Sequence, residues 1–453
     1  MQTRTNVNWV FVATLCLSVS FPGFAADRSP GLEQVLRPCI DDQTFAVIRL
    51  DVEKLDLDAL VGRALDLVGK HAGPDVAKSM QRHLKDRQVK AGAEAKDFLK
   101  AGGRDIFLVF SMYDFPYFFV AIPIHSANDR GRLHRHIREV VEKDFNIGDE
   151  PIYVSDRLIL VGLERTSARL KTTSPVRSEA LAAGFQACAN KTAQVVLFPS
   201  SDQRRILAEM MPQMPLESGT TPPATISQDL QWAALGFDCP PSISLSLTIQ
   251  SPSVDGADRM LTLVKGLYIL AGQHPEVRRL FPELAQLLKR LTPRRQGDRL
   301  SLQVDSAAAD SLIDDIVAPS LVRVHEYATR MACGTNMSGI GKALLIYSND
   351  YNDELPPDLE TLIHTVEMTP KGLICPATGL RESYVYRGAG LTTSAPHSMI
   401  TVYEKAGHHG GDGRNVVFLD SSVKWVKESR FQELIEKDNE YRRKKGLPVL
   451  PAQ

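Results

Sequence analysis

Apolar and polar positions along the chain fall into blocks whose period switches between 2 and 3.6 residues, and the succession of switches occurs twice. The first succession opens with TFAVIRLD (Thr44 to Asp51), a strand by its β-branched and aromatic content. A helix follows in which Leu57, Leu60, Val61, Ala64, Leu65 and Val68 share one stripe. The second opens with AQVVLFPSS and the helix DQRRILAEMM. Each then shows two strands around a tight turn, marked by Pro116 in one copy and Pro240-Pro241 in the other. An amphipathic helix comes next, RLHRHIREVV or ADRMLTLVKGLYIL, and each copy closes on a strand introduced by Asp-Arg-Leu, at Asp156 and Asp298.

Both copies therefore read β-α-β-β-α-β, the order of a ferredoxin-like unit. The pattern predicts an α+β protein with two tandem ferredoxin-like repeats, 30–175 and 188–308, in which helices cover one face of an antiparallel sheet. That packing accounts for the apolar stripes and leaves little for chemistry. His134 and His136 are two positions apart on a helix, about 200° around it, so they cannot share a metal from one face. Asp51 and Asp202, just after the opening strands, read as caps. Serine-hydrolase, zincin, Walker and dinucleotide motifs are missing from the sequence. The Pro-, Ser- and Thr-rich stretch Pro212 to Gln228 reads as a long exposed loop, disordered or a lid.

With 453 residues the chain exceeds one core. A net charge of -1 argues against a nucleic-acid partner. Residues 1–25 carry a basic start (Arg4), an apolar run from Trp9 to Phe21 and a small-x-small site at Gly23-Phe24-Ala25, the marks of a cleaved secretory signal peptide. The mature chain is expected to be extracytoplasmic, periplasmic or secreted, and not an integral membrane protein. Its cysteines (Cys39, Cys188, Cys239, Cys333 and Cys375) form no C-x-x-C pair. Cys333 and Cys375 share the C-terminal block, as a disulfide worth about 4 kcal/mol or as two buried thiols.

From Ile316 the pattern becomes one long helix, with Ile340, Ala343, Leu344 and Tyr347 on its apolar stripe and Pro356-Pro357 ending it. Pro319, Arg330-Met331, Cys333, Asn336, Ile340-Gly341, Ala343-Leu344, Tyr347 and Pro356-Pro357 appear in an order that resembles the globular half of bacterial prepilin-like and type II secretion pseudopilin proteins. The likeness continues through ICPAT, with Cys375, into HHGGDGRNVVFLDSSVKW (His408 to Trp425), which resembles the H-x9-D-G hairpin of the prepilin-type group. His409, Asn415, Asp420 and Trp425 mark that motif. Ten residues rather than nine separate His409 from Asp420, and Ser421 stands where the family has Gly. The resemblance covers about 316–430 and implies a domain over 309–430 made of a long helix plus a small antiparallel sheet.

Within this block Asp350, Asn352, Asp353 and Glu354 are hard oxygen donors of the type calcium takes, but they lack the spacing of an EF-hand and read first as a solvated helix end. Zinc between His408, His409 and Asp420 or Cys375 is the weaker reading, because adjacent histidines point apart. In a hairpin, His409 and Asp420 fall at opposite ends of a strand, so they mark geometry rather than a catalytic pair. Residues 431–453 read as a charged, loosely ordered tail. The expectation is a non-catalytic envelope protein without a cofactor, working through contacts with envelope or secretion-related proteins. The alternative is an extracytoplasmic metal-assisted enzyme or ligand-binding protein with a site between the repeats or near His409.

Overall fold

The computed structural model describes residues 32–145, 152–172, 176, 178–210, 224–376, 378–380, 383–449 and 451. The expected signal peptide (1–25) and most of the Pro212-to-Gln228 stretch (212–223) lie outside the described residues. The chain is mixed α+β with antiparallel sheets, and it divides into two compact units, Met1–Pro319 and Ser320–Gln453.

In the first unit β1 (Thr44–Asp51), β2 (Asp105–Ser111), β3 (Phe119–Pro123), β4 (Ile152–Val154) and β5 (Leu158–Val161) belong to the first copy. The second supplies β6 (Ala193–Leu197), β7 (Trp232–Asp238), β8 (Ser244–Gln250), β9 (Arg294–Gln296) and β10 (Arg299–Val304). All ten form one sheet in the order β4-β5-β3-β2-β1-β6-β7-β8-β10-β9. The copies are joined by β1 and β6, antiparallel with Ile48 opposite Val195, so they share a sheet instead of forming separate domains.

This corrects the ferredoxin-like expectation. A ferredoxin-like unit interleaves its strands as 4-1-3-2, whereas here the first three strands of each copy follow sequence order outward from the centre, and only the last two exchange places, with the short strands β4 and β9 outermost. The reason lies in the connections. One helix between β1 and β2 would return the chain parallel to β1, as in the ferredoxin-like unit. Here α2 (Leu57–Ala72) is followed by α3 (Pro74–Lys100), the break falling at Gly73, whose φ of 96° suits glycine alone, and at Pro74. The chain travels out along one helix and back along the other, so β2 runs antiparallel to β1 and pairs with it directly. The second copy repeats the device with α7 (Ser201–Met210) and α8 (Ala224–Asp229). Between β3 and β5, and between β8 and β10, the extra legs are the short edge strands β4 and β9.

One sheet face is packed by α1 (Leu32–Leu36) and α6 (Glu179–Ala187) through Leu36, Leu181 and Phe185 against Val47, Phe107, Val196 and Trp232. On the opposite face, α3 and α4 (Arg130–Phe145) bring Ala95, Phe98, Leu133 and Ile137 onto Ile106, Val120 and Ile159. Each fully buried large side chain contributes about 1.5–3 kcal/mol. Asp51 does not act as a cap; its carboxylate pairs with Arg49 at 3.2 Å and Lys54 at 3.4 Å. Asp202 lies in the first turn of α7, whose cap is Ser200: the Gln203 amide donates to its hydroxyl, and the Gln203 side chain accepts from its backbone N–H.

In the second unit α13 (Ala318–Asp350) lays Cys333, Met337, Ile340, Leu344 and Tyr347 on one face of a four-stranded meander. The strands are β11 (Tyr384–Tyr386), β12 (Ile400–Glu404), β13 (Gly413–Phe418) and β14 (Val423–Lys427), paired in that order. Gly341 lets the helix approach: a Cβ there would meet Val417 Cγ1 at 2.9 Å and the Ser421 Cα at 3.2 Å. The other face is covered by α15 (Glu428–Lys444), with Phe431 and Ile435 against Tyr403, Val416 and Phe418. Residues 431–444, read as part of a loose tail, are therefore the body of a packed helix. Charged as it is, α15 buries Asp438 between Arg387 and Arg442 at 2.6 and 2.9 Å, and this paired triad anchors it.

Candidate metal centre

Four segments of the second unit converge under α13. Cys333 projects from the middle of that helix, and Cys375 follows a short 3-10 turn (Pro370–Leu373). Glu404 ends β12, and His409 sits in a 3-10 turn (His408–Gly411) before β13. One donor atom from each lies within 4.8 Å of all the others. The two sulfurs are 3.2 Å apart, beyond the roughly 2.05 Å of a disulfide bond, and His409 Nε2 donates to Glu404 Oε1 at 3.1 Å. Cys333, Cys375 and Glu404 are fully buried and the His409 side chain is nearly so.

Three of the four donors are held from behind. The Asn415 backbone N–H donates to Glu404 Oε2 at 2.8 Å, and the Asn415 amide reaches the Arg330 carbonyl on α13 at 3.0 Å. Asn336 donates to the Ile374 carbonyl at 3.1 Å, fixing the segment that carries Cys375. His409 adopts φ 55°, a left-handed conformation costing a non-glycine residue about 1 kcal/mol, with its ring edge-on to Trp425 at 6.0 Å. Arg330 in turn lies over the Trp425 ring at 4.4 Å, tying the hairpin to the helix. Burial works to lower the proton affinity of His409, but hydrogen bonds to Cys375 and Glu404 outweigh it and raise its pKa to about 9.

The structure sorts the sequence candidates. His409, Cys333 and Cys375 meet; Asp420 does not join them. It turns the β13–β14 hairpin instead, accepting from the Ser422 backbone N–H at 2.9 Å and hydroxyl at 2.6 Å. Ser421 takes a positive φ, 64°. Asp350 ends α13 and Asn352 and Asp353 follow it, all three exposed, and Asp353 Oδ1 already accepts from the Thr393 hydroxyl at 3.0 Å. They are not in the one group of converging His, Cys, Asp and Glu donors among the described residues. His134 and His136 sit apart on α4, the latter against Phe98.

Glu404 is the site residue that sequence reasoning missed. Its signal was a carboxylate closing ITVYE, a strand in which every other residue is apolar or Thr. In the first unit, a groove of about 1030 Å³ between α2 and α3 is lined by mixed charges such as Asp58, Arg82 and Lys85. Among the described residues, no helix is long and apolar enough to cross a membrane. No protein-family model matches the chain, and neither does any curated protein or solved structure.

Proposed function

We propose that this is a non-catalytic, extracytoplasmic envelope protein with a pseudopilin-like second unit, working through contact with another protein. The observation that carries the reading is the β2–β3 hairpin tip. It presents Tyr113 at 60 % and Phe115 at 67 % exposure, with Met112 and Tyr117 beside them. Leaving such aromatic surface in water is costly for a solitary protein, and a rigid aromatic knob suits a partner's pocket. The tip is rigid because buried Asp114 accepts from Thr166 at 2.6 Å and Arg169 at 2.7 Å, and the Arg169 guanidinium lies over the Tyr113 ring. The enzyme reading loses support because, among the described residues, the one group of converging His, Cys, Asp and Glu donors is sealed beneath α13, with four protein donors and no position facing solvent.

A photo-crosslinking residue at Phe115, in the mature chain within its own envelope, tests this. A discrete adduct is expected at 115 and none at equally exposed Val89, with Tyr113→Ser plus Tyr117→Ser removing it. Equal labelling at both positions, or none at 115, refutes the proposal.

A further inference from the structure

We infer that Cys333, Cys375, Glu404 and His409 bind one zinc ion in a closed tetrahedral shell that fastens α13 to the sheet. The spacing fits: zinc bonds of about 2.0–2.3 Å set tetrahedral donors about 3.3–3.8 Å apart. Here the sulfurs are separated by 3.2 Å, the imidazole nitrogen and carboxylate oxygen by 3.1 Å, and no pair by more than 4.8 Å. Admitting the ion opens the sulfur pair by about half an ångström and closes the widest pair by up to about 1 Å. The donor set also fits. Two thiolates and an imidazole select a borderline-soft metal over calcium or magnesium, and a dication offsets the charge of two buried thiolates.

The supporting shell is of the kind metal ligands need. Glu404's second oxygen is held by Asn415, the Cys375 segment by Asn336, and His409 is kept in a left-handed conformation that turns its ring inward. The ligands come from a helix, a loop, a strand end and a turn, so the ion cross-links segments up to 76 residues apart in sequence. With no vacant position the role is structural. Binding releases the two thiol protons and the proton that His409 Nε2 holds against Glu404.

The test uses the full mature chain, stripped with a chelator under reductant and titrated with cobalt(II), then zinc(II). The expected result is one cobalt per chain, a near-ultraviolet thiolate-to-cobalt charge-transfer band and intense visible bands of tetrahedral cobalt, all abolished by one equivalent of zinc. Glu404→Gln should weaken zinc binding by at least about tenfold, while Asp420→Asn leaves it unchanged. Cys333→Ser and Cys375→Ser should remove the charge-transfer band; if they fail to fold, the wild-type spectrum and the Glu404→Gln affinity still decide. Absence of cobalt bands with both thiols reduced overturns the inference in favour of a metal-free His409–Glu404 ion pair. A chain isolated without reductant that is lighter by two hydrogens, with Cys333 and Cys375 in one cross-linked peptide, overturns it in favour of a disulfide.

Discussion

Replacing Asp438 with Asn should be among the most damaging conservative changes in the second unit. Oδ2 of Asp438 accepts from Arg387 Nε at 3.0 Å and Nη2 at 2.6 Å, and from Arg442 Nε at 2.9 Å; Oδ1 accepts from the Ile400 backbone N–H at 3.2 Å. The side chains of both arginines and the aspartate are at most 1 % exposed. Asn has nearly the same shape but no charge, so two guanidiniums would stay buried without their anion. Removing one partner of such a pair costs about 3–5 kcal/mol. In a domain of this size each kcal/mol is worth about 4 °C, which predicts a fall in Tm of about 12–20 °C. Thermal melts followed by Trp425 fluorescence, on a Trp232→Phe background in the mature chain, read this unit. A fall of less than about 4 °C would mean that the triad is solvated and that α15 is not anchored as described.

Two neighbouring substitutions should move the same transition in opposite directions. Gly341→Val forces branched carbon into Val417 and the Ser421 backbone and should cost about 1–3 kcal/mol, whereas Ser421→Gly relieves a positive φ and should add about 1 kcal/mol; urea midpoints at constant m-value check both. The first unit should lose stability in acid. Burial tends to raise the pKa of Asp105, but hydrogen bonds from His125 and Arg49 and their charges hold it below its ordinary value. Burial acts likewise on Asp238, and Lys191, Ser244 and Thr192 overcome it. Because both folded values are depressed, the stabilisation is complete above the unfolded pKa of about 3.9 and is lost as pH falls below it through the folded values. Melts of the first unit between neutral pH and strong acid should show this slope, flattened by Asp105→Asn; an unchanged slope in the variant would exclude Asp105 as a source.

What the sequence made legible was local. The alternation of TFAVIRLD and the 3.6-residue stripe of α2 came through because each depends on neighbours a few residues away. Strand order did not, because it turned on whether one helix or two connects β1 to β2, and residues 74–100 are too polar to present an obvious stripe. The helix α15 was hidden for a related reason: its buried face holds Asp438, Asn439 and Arg442, polar groups that look solvated until Arg387, some fifty residues earlier, is placed beside them. The hairpin around Asp420 was readable from its turn residues, and so was the separation of Asp420 from His409 along β13. The centre was half legible. Cys333 and Cys375 drew notice as a pair and Cys375 with His409 as the weaker zinc reading, but their meeting with Glu404 depends on α13 lying across the sheet, a contact that no spacing along the chain encodes.

X-ray absorption at the zinc edge of the mature chain, purified from its own compartment without added metal or chelator, tests the centre most directly. The account predicts about one zinc per chain with two sulfur neighbours near 2.3 Å and two nitrogen or oxygen neighbours near 2.0 Å. A shell of nitrogen and oxygen alone, or a folded chain that carries no zinc, would contradict it.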